Sequence, residues 1–241
     1  MRRNVTVKSV RGMRRSLLAC LAVALLGVAG TAHAQVSAQV SVASDNVFRG
    51  VSLSDGRASA ALEVNYDNEA GWFTGAQVSS THLAREHHDE PELVVDAGYT
   101  HALTSTLTWE AGATYAMFPG FTYWNYGEAF AGVLADNWSA RLHYAPDYFG
   151  RARKTWYAEY DYQYALNERW RVIAHIGALH SPPVAAEGHA WSYDGSLGLA
   201  AHFGSATFAF RRVAIDRSNY LYPLAPTSGR ADWVVSLAWS Y

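Results

Sequence analysis

The chain has 241 residues, half of them hydrophobic, 14% aromatic and only 17% charged, with a formal net charge of −2. That balance offers no basic patch for nucleic acid. A single cysteine excludes both a disulfide framework and a thiolate metal site.

Residues 1–34 read as a secretory signal peptide. Arg2, Arg3, Lys8, Arg11, Arg14 and Arg15 form a basic start. Leu17 to Val28 is an apolar run, and Ala32-His33-Ala34 is a small-residue cleavage site. Met13 offers a second start that would leave a signal of more ordinary length. The apolar run is too short for a membrane-spanning helix. Too little apolar sequence precedes Cys20 for a lipoprotein site. Arg14-Arg15 is read as part of the basic start, because a barrel must be exported unfolded. Removal of residues 1–34 takes the cysteine and six of the 19 basic residues, leaving 13 against 21 acidic ones and a net charge of −8.

Residues 35–241 divide into twelve segments of about ten residues, most of them alternating large apolar with small or polar side chains. In chain order they are Val36–Val42, Ala60–Tyr66, Trp72–Ser80, Leu93–Tyr99, Leu107–Tyr115, Tyr126–Val133, Trp138–Tyr144, Trp156–Tyr164, Trp170–Ala178, Trp191–Ala201, Ala206–Phe210 and Trp233–Tyr241. A period of two marks strands with one greasy face, and each is about long enough for a tilted membrane strand. Short connections (67–71, 101–105, 135–137, 166–169, 203–205) alternate with longer polar ones (50–57, 81–91, 118–125, 146–155, 180–190, 216–230). The reading is an all-β, transmembrane, antiparallel up-and-down β-barrel of about 12 strands with both ends on the short-turn side.

The tryptophans fall at strand ends. Trp72, Trp109, Trp138, Trp170 and Trp239 lie on the short-turn side, and Trp156, Trp191 and Trp233 on the long-loop side. Two rims of tryptophan are what two membrane–water interfaces select. The last strand alternates Trp233, Val235, Leu237, Trp239 and Tyr241, and resembles the terminal assembly signal of bacterial outer-membrane barrels. Tyr241 is the expected signal residue and the barrel assembly machinery the expected partner.

Sending the aromatics outward turns Glu63, Asp96, Glu110, Glu128, Arg141, His143, Glu159, Asp161, Arg171, His175, Asp194 and Arg211 inward as lumen-lining candidates. Charges in lipid cost several kcal/mol, so they must meet water or one another. Hairpin pairing sets Arg141 and His143 opposite Glu159 and Asp161, with His175 and Asp194 following on the next strands. The same reading serves a selectivity lining or a structural ladder of salt bridges. Asp96 and Glu110 are expected as close neighbours, relieved by water or an arginine. Placing Glu128 inside also turns Tyr126 and Phe130 inward.

No catalytic constellation emerges. His180-Ser181 is the one adjacent His-Ser pair, but Pro182 and Pro183 follow and no acidic residue is near before Glu187, so a hydrolase lacks its third group. His82, His87 and His88 stand with Glu86, Asp89, Glu90 and Glu92 in a spacing that fits no standard metal site. No enzyme activity, cofactor or metal is expected.

The run Ser44-Asp45-Asn46-Val47-Phe48-Arg49-Gly50-Val51-Ser52-Leu53-Ser54-Asp55-Gly56 is distinctive. It resembles the first hairpin of the TorF-like porin family, a conserved bacterial family of unknown function. Glu92 to Tyr99, Tyr144 to Gly150 and Tyr157 to Tyr160 agree, so the resemblance spans most of residues 35–241. The family has glycines where this chain has Ala58–Ala61. The resemblance implies an outer-membrane barrel with a channel role and transfers no site residues. From the residues themselves, Gly50 suits a turn or bulge at the rim. Arg49 either orders its loop through Asp45 or Asp55 or reaches over the pore mouth.

The expected function is passive diffusion of small hydrophilic solutes across a Gram-negative outer membrane, with the surrounding lipid as a further partner. The alternatives are a closed barrel whose outer loops bind a ligand or partner, and an outer-membrane lipid hydrolase.

Overall fold

The structure, a computed structural model, describes residues 34–83, 88–182, 190–216 and 233–241. The strands are β1 (Ala34–Ala43), β2 (Val47–Phe48), β3 (Val51–Ser52), β4 (Ser59–Asn68), β5 (Trp72–Leu83), β6 (His88–Ala102), β7 (Leu107–Met117), β8 (Tyr126–Ala135), β9 (Trp138–Ala145), β10 (Thr155–Ala165), β11 (Trp170–His180), β12 (Trp191–Phe203), β13 (Ala206–Ile215) and β14 (Trp233–Ser240). Twelve of them close into one antiparallel barrel; β2 and β3 pair only with each other. Closure is direct. β14 lies against β1 from Gln39↔Ser240 to Ala43↔Ser236. Tyr241 extends the seam, donating its N–H to the Ala38 carbonyl at 2.9 Å and accepting from the Ala38 N–H at 3.3 Å.

The outward face is apolar because every second residue in these strands is large and greasy. Val40, Leu142, Ile176, Leu197, Leu199, Phe208 and Leu237 are all exposed. Trp72, Trp170 and Trp239 are exposed at the short-turn end, and Trp156, Trp191 and Trp233 at the long-loop end. Trp109 and Trp138 are half-buried, Trp109 against Tyr99 and Trp138 stacked on Tyr160. β11 runs 11 residues between these two rims. At ~3.3 Å per residue and a tilt near 40° that is an apolar band of about 25 Å, the height of an outer-membrane hydrocarbon layer.

Two differences from the sequence reading matter. Residues 81–83 and 88–91, read as loop, continue β5 and β6 as a paired extension, Thr81↔Glu90 to Leu83↔His88. Pro91 suggests a break, but β7 joins β6 only from Leu93. Pro91 therefore lies on a free edge, where a missing N–H is tolerated. The first long connection is not a rim loop either. It carries β2 and β3 into the barrel, where Val51, Ser52, Leu53 and Ser54 are buried.

The core sits at the long-loop end. Val51 and Leu53 pack with Leu83, Phe118, Trp124, Tyr126, Tyr148, Phe149, Tyr157 and Leu179. Ring centroids stand 4.5 Å apart for Tyr126–Phe149, 5.1 Å for Tyr126–Tyr148 and 6.2 Å for Phe118–Phe149. Each fully buried side chain of this size contributes roughly 1.5–3 kcal/mol, so the connections are packed elements and not loose rims.

Candidate functional site

The β2–β3 turn crosses the inside of the barrel. Arg49 (φ 48°) and Gly50 (φ 75°) occupy consecutive left-handed positions, as a tight type I′ hairpin turn requires. At Gly50 the turn touches one wall: an added Cβ would stand 2.7 Å from the Asp194 Cβ and 3.0 Å from that of Ile215. From the neighbouring position Arg49 reaches the opposite wall. Its Nη1 and Nη2 donate to the two Glu128 oxygens at 2.8 and 2.7 Å, and Nη1 also donates to the Tyr148 hydroxyl at 3.2 Å. The guanidinium lies 4.0 Å from the Tyr157 ring centroid and 4.7 Å from that of Phe48. Both side chains of the ion pair are only 5% exposed. The strut thus joins β12–β13 to β8 and β10.

Neither sequence-based role for Arg49 describes this. Asp45 does not pair with it; it accepts from the Ser52 and Ser54 hydroxyls at 2.5 and 2.7 Å and ties the hairpin's own base. Those two serines supply the loop ordering expected of the arginine. Arg49 does not reach over a mouth but spans the interior.

A run of paired charges lines the wall from β7 to β12. Arg141 makes a close ion pair with Glu110 through Nε and stands 4.0 Å from Glu159. His143 Nε2 lies 3.1 Å from Glu159, and its Nδ1 3.7 Å from Glu128. His175 Nδ1 is 2.8 Å from Asp161, its direct cross-strand neighbour. His175 Nε2 is 3.0 Å from Asp194, two positions along the next pairing. Carboxylates only accept, so this arrangement is complete when His175 carries both ring protons. Tyr157 joins the group, its hydroxyl 3.0 Å from His175 Nε2 and 3.2 Å from Asp194. It fits there because Gly177 has no side chain; a Cβ would lie 2.1 Å from the phenol oxygen. Tyr157 is missing from the sequence-based candidates although it shares the phase of Glu159 and Asp161. Treating aromatics as outward hid it.

The remaining candidates stand apart. Glu63 on β4 accepts from Asn65 at 2.8 Å. Asp96 lies opposite Thr114 and Glu110 opposite Thr100. The register sets these two carboxylates on adjacent strands but not directly opposite; their charges still interact, and Arg141 offsets them. Arg171 donates to Gln163 at 3.0 Å near the short-turn end. Tyr126 and Glu128 are buried inside, and Phe130 faces His143 at 5.7 Å. Arg211 faces inward on β13 between the outward Phe210 and Arg212, both of which lie against Trp233. It makes no hydrogen bond or ion pair with any described residue.

Two cavities meet beside the strut. One of about 330 Å³ is lined by Asn137, Ser139, Asp161, Gln163, His175, Ser196 and Arg211 among others. The second, about 140 Å³, lies between Val47, Arg49 and Gly50 on the hairpin and Asp161, His175, Asp194, Ser196 and Arg211 on the wall. Asp161, His175, Ser196 and Arg211 border both.

Two arrangements that could carry other chemistry resolve differently. Glu159, Asp161 and His175 hold ligand atoms within 4.8 Å of one another. Both His175 nitrogens already face carboxylates, so a cation there would have to take the place of a ring proton. His180 and Ser181 part company: His180 packs on Trp191 at 4.6 Å, while the buried Ser181 hydroxyl accepts from Arg153 at 3.3 Å. Among the described residues no base stands beside that hydroxyl as a nucleophile needs. In the acidic extension, His82 lies 2.7 Å from Asp89, and Glu92 accepts from Ser79 at 3.2 Å. Glu86 and His87 lie outside the described residues.

A family model described as "Bacterial protein of unknown function (Gcw_chp)" matches residues 28–241. The chain belongs to the Gcw_chp family. No curated protein matches it by sequence. Among solved structures it is similar to the KdgM porin, with 12% identity, a TM-score of 0.54, and 85% of this chain and 99% of that one covered. It is also similar to the NanC porin, with 11% identity, a TM-score of 0.54, and 86% and 99% covered. At these identities the likeness is one of fold: this Gcw_chp chain is a closed barrel of twelve strands, similar in fold to those porins.

Proposed function

We propose that this Gcw_chp chain is an outer-membrane channel for small hydrophilic solutes in a Gram-negative bacterium, exported through the signal at residues 1–34. The channel role is also what the TorF-like resemblance implies. The observation that carries this reading is the pair of adjoining cavities, about 330 and 140 Å³, bordered by charged and polar side chains inside a closed barrel. Ionised groups inside a barrel must meet water or one another, and the cavities bring open space to the Asp161, His175 and Arg211 part of the wall. The rims of exposed tryptophan support contact with membrane lipid on the outside. Fold likeness to two porins supports the same class.

Liposome swelling tests it. Folded protein in liposomes is expected to pass glycerol quickly and to exclude raffinose, because the strut leaves only a narrow slot. Swelling no faster than in protein-free liposomes for every solute would contradict the channel.

A second reading has its own support. The strut and the aromatic core at the long-loop end suit a closed barrel that presents its outer connections to a ligand or partner. That reading requires no swelling even when the strut is removed.

A further inference from the structure

The slot between the hairpin and the β10–β13 wall has an uneven charge arrangement. On the hairpin side, Arg49 is neutralised by Glu128 at 2.7 Å. On the wall side, Asp161 and Asp194 hold His175 between them at 2.8 and 3.0 Å. Arg141 is paired with Glu110, and Arg171 is bonded to Gln163. Arg211 alone among these inward arginines has no partner among the described residues, and it borders both cavities. This half-buried guanidinium has lost part of its hydration; the charges of Asp161 and Asp45 act on it from a distance, but no acceptor among the described residues bonds to it. An incoming carboxylate restores the loss, since its two oxygens match the guanidinium fork. The larger cavity that Arg211 borders is also lined by uncharged hydrogen-bonding side chains, Ser139, Gln163 and Ser196. These suit a hydroxyl better than a second charge.

We propose that the slot beside the strut is a binding site for small hydroxycarboxylate anions, with the solute carboxylate on Arg211 and its hydroxyl among Ser139, Gln163 and Ser196. The proposal deepens the channel reading by naming a solute class, and rests on it only for the direction of passage. Binding itself needs no conduction. The acidic groups nearby set the limit on charge: a dianion would meet Asp161 and Asp194 without a second free cation, so monoanions are favoured.

Saturation-transfer NMR with sodium lactate on the folded protein in detergent tests binding directly. Transfer to the lactate methyl is expected in the wild type. It should weaken about tenfold in Arg211→Gln, as loss of a charge-assisted hydrogen-bond pair implies, and survive in part in Arg211→Lys. Arg212→Gln, altered on the outward face beside Trp233, should leave it unchanged. Arg211→Met serves as a second neutral variant should Arg211→Gln not fold. No transfer in the wild type, or equal transfer without the Arg211 charge, overturns the site and leaves a hydrated arginine only. In planar bilayers with chloride on one side and lactate on the other, loss of the charge should shift the reversal potential toward potassium selectivity; an unshifted potential would count against the role in passage. Arg211-dependent lactate transfer from a protein that never conducts would uphold the site and sink the channel.

Discussion

Replacing Arg49 by alanine is expected to destabilise the folded barrel by about 3–5 kcal/mol. The substitution leaves Glu128 buried at 5% exposure with its main countercharge gone, and it also removes the cation from over Tyr157. Glu128→Ala should cost a similar amount for the converse reason. The double variant Arg49→Met/Glu128→Leu should cost far less than the sum, because neither charge is left orphaned and the site is lined by Tyr126, Tyr148 and Phe149. Urea unfolding from liposomes, read through tryptophan fluorescence, gives the three values. A coupling of about 2 kcal/mol or more is expected. Additive losses would mean that the strut is not held by this ion pair.

The other large effect concerns the seam. Deleting Tyr241 removes both backbone hydrogen bonds to Ala38 at the short-turn end of the β1–β14 closure. It also removes a ring that packs beside Trp239 at 6.4 Å. Two hydrogen bonds of ~1 kcal/mol each would not by themselves unfold a barrel. The expected effect on assembly in cells is nevertheless severe, because a terminal aromatic of this kind resembles the signal by which barrels are taken up for insertion. Export should be unaffected, and the heat-modifiable folded band should be lost from the outer membrane. A normal folded band from the truncated chain would remove Tyr241 from that role.

Much of the fold is legible from side-chain alternation. The period of two survives in residues whose partners are unknown, because each strand must show one face to an apolar surround and the other to the interior. That is why the strand number, the long and short connections and the closing pair β1–β14 can be read from the sequence. Local rules also explain the cross-strand neighbours, such as Asp161 beside His175. They fail where a contact spans the barrel. Arg49 and Glu128 lie 79 residues apart, and no periodicity links a hairpin turn to the strand it strikes. The turn itself is readable from Arg49-Gly50, but the direction it folds is set by packing: Val51 and Leu53 are buried with Phe118 and Phe149. The strand extension past Ser80 is hidden by the polar composition of residues 81–91, which suits a free strand edge as well as a loop. Tyr157 was hidden by its chemistry, an aromatic ring whose hydroxyl suits a polar interior as well as its ring suits lipid.

The strut makes the central claim sharper than a barrel alone would. If the interior is a solute path, the strut is its narrowest part, and changing it must change flow. Single-channel recording in planar bilayers, on protein verified as folded by heat modifiability, measures this directly. The wild type is expected to give small discrete steps, and Arg49→Met/Glu128→Leu larger ones as the hairpin loses its far anchor. Silence from both proteins would contradict the channel and leave a closed barrel that presents its outer connections.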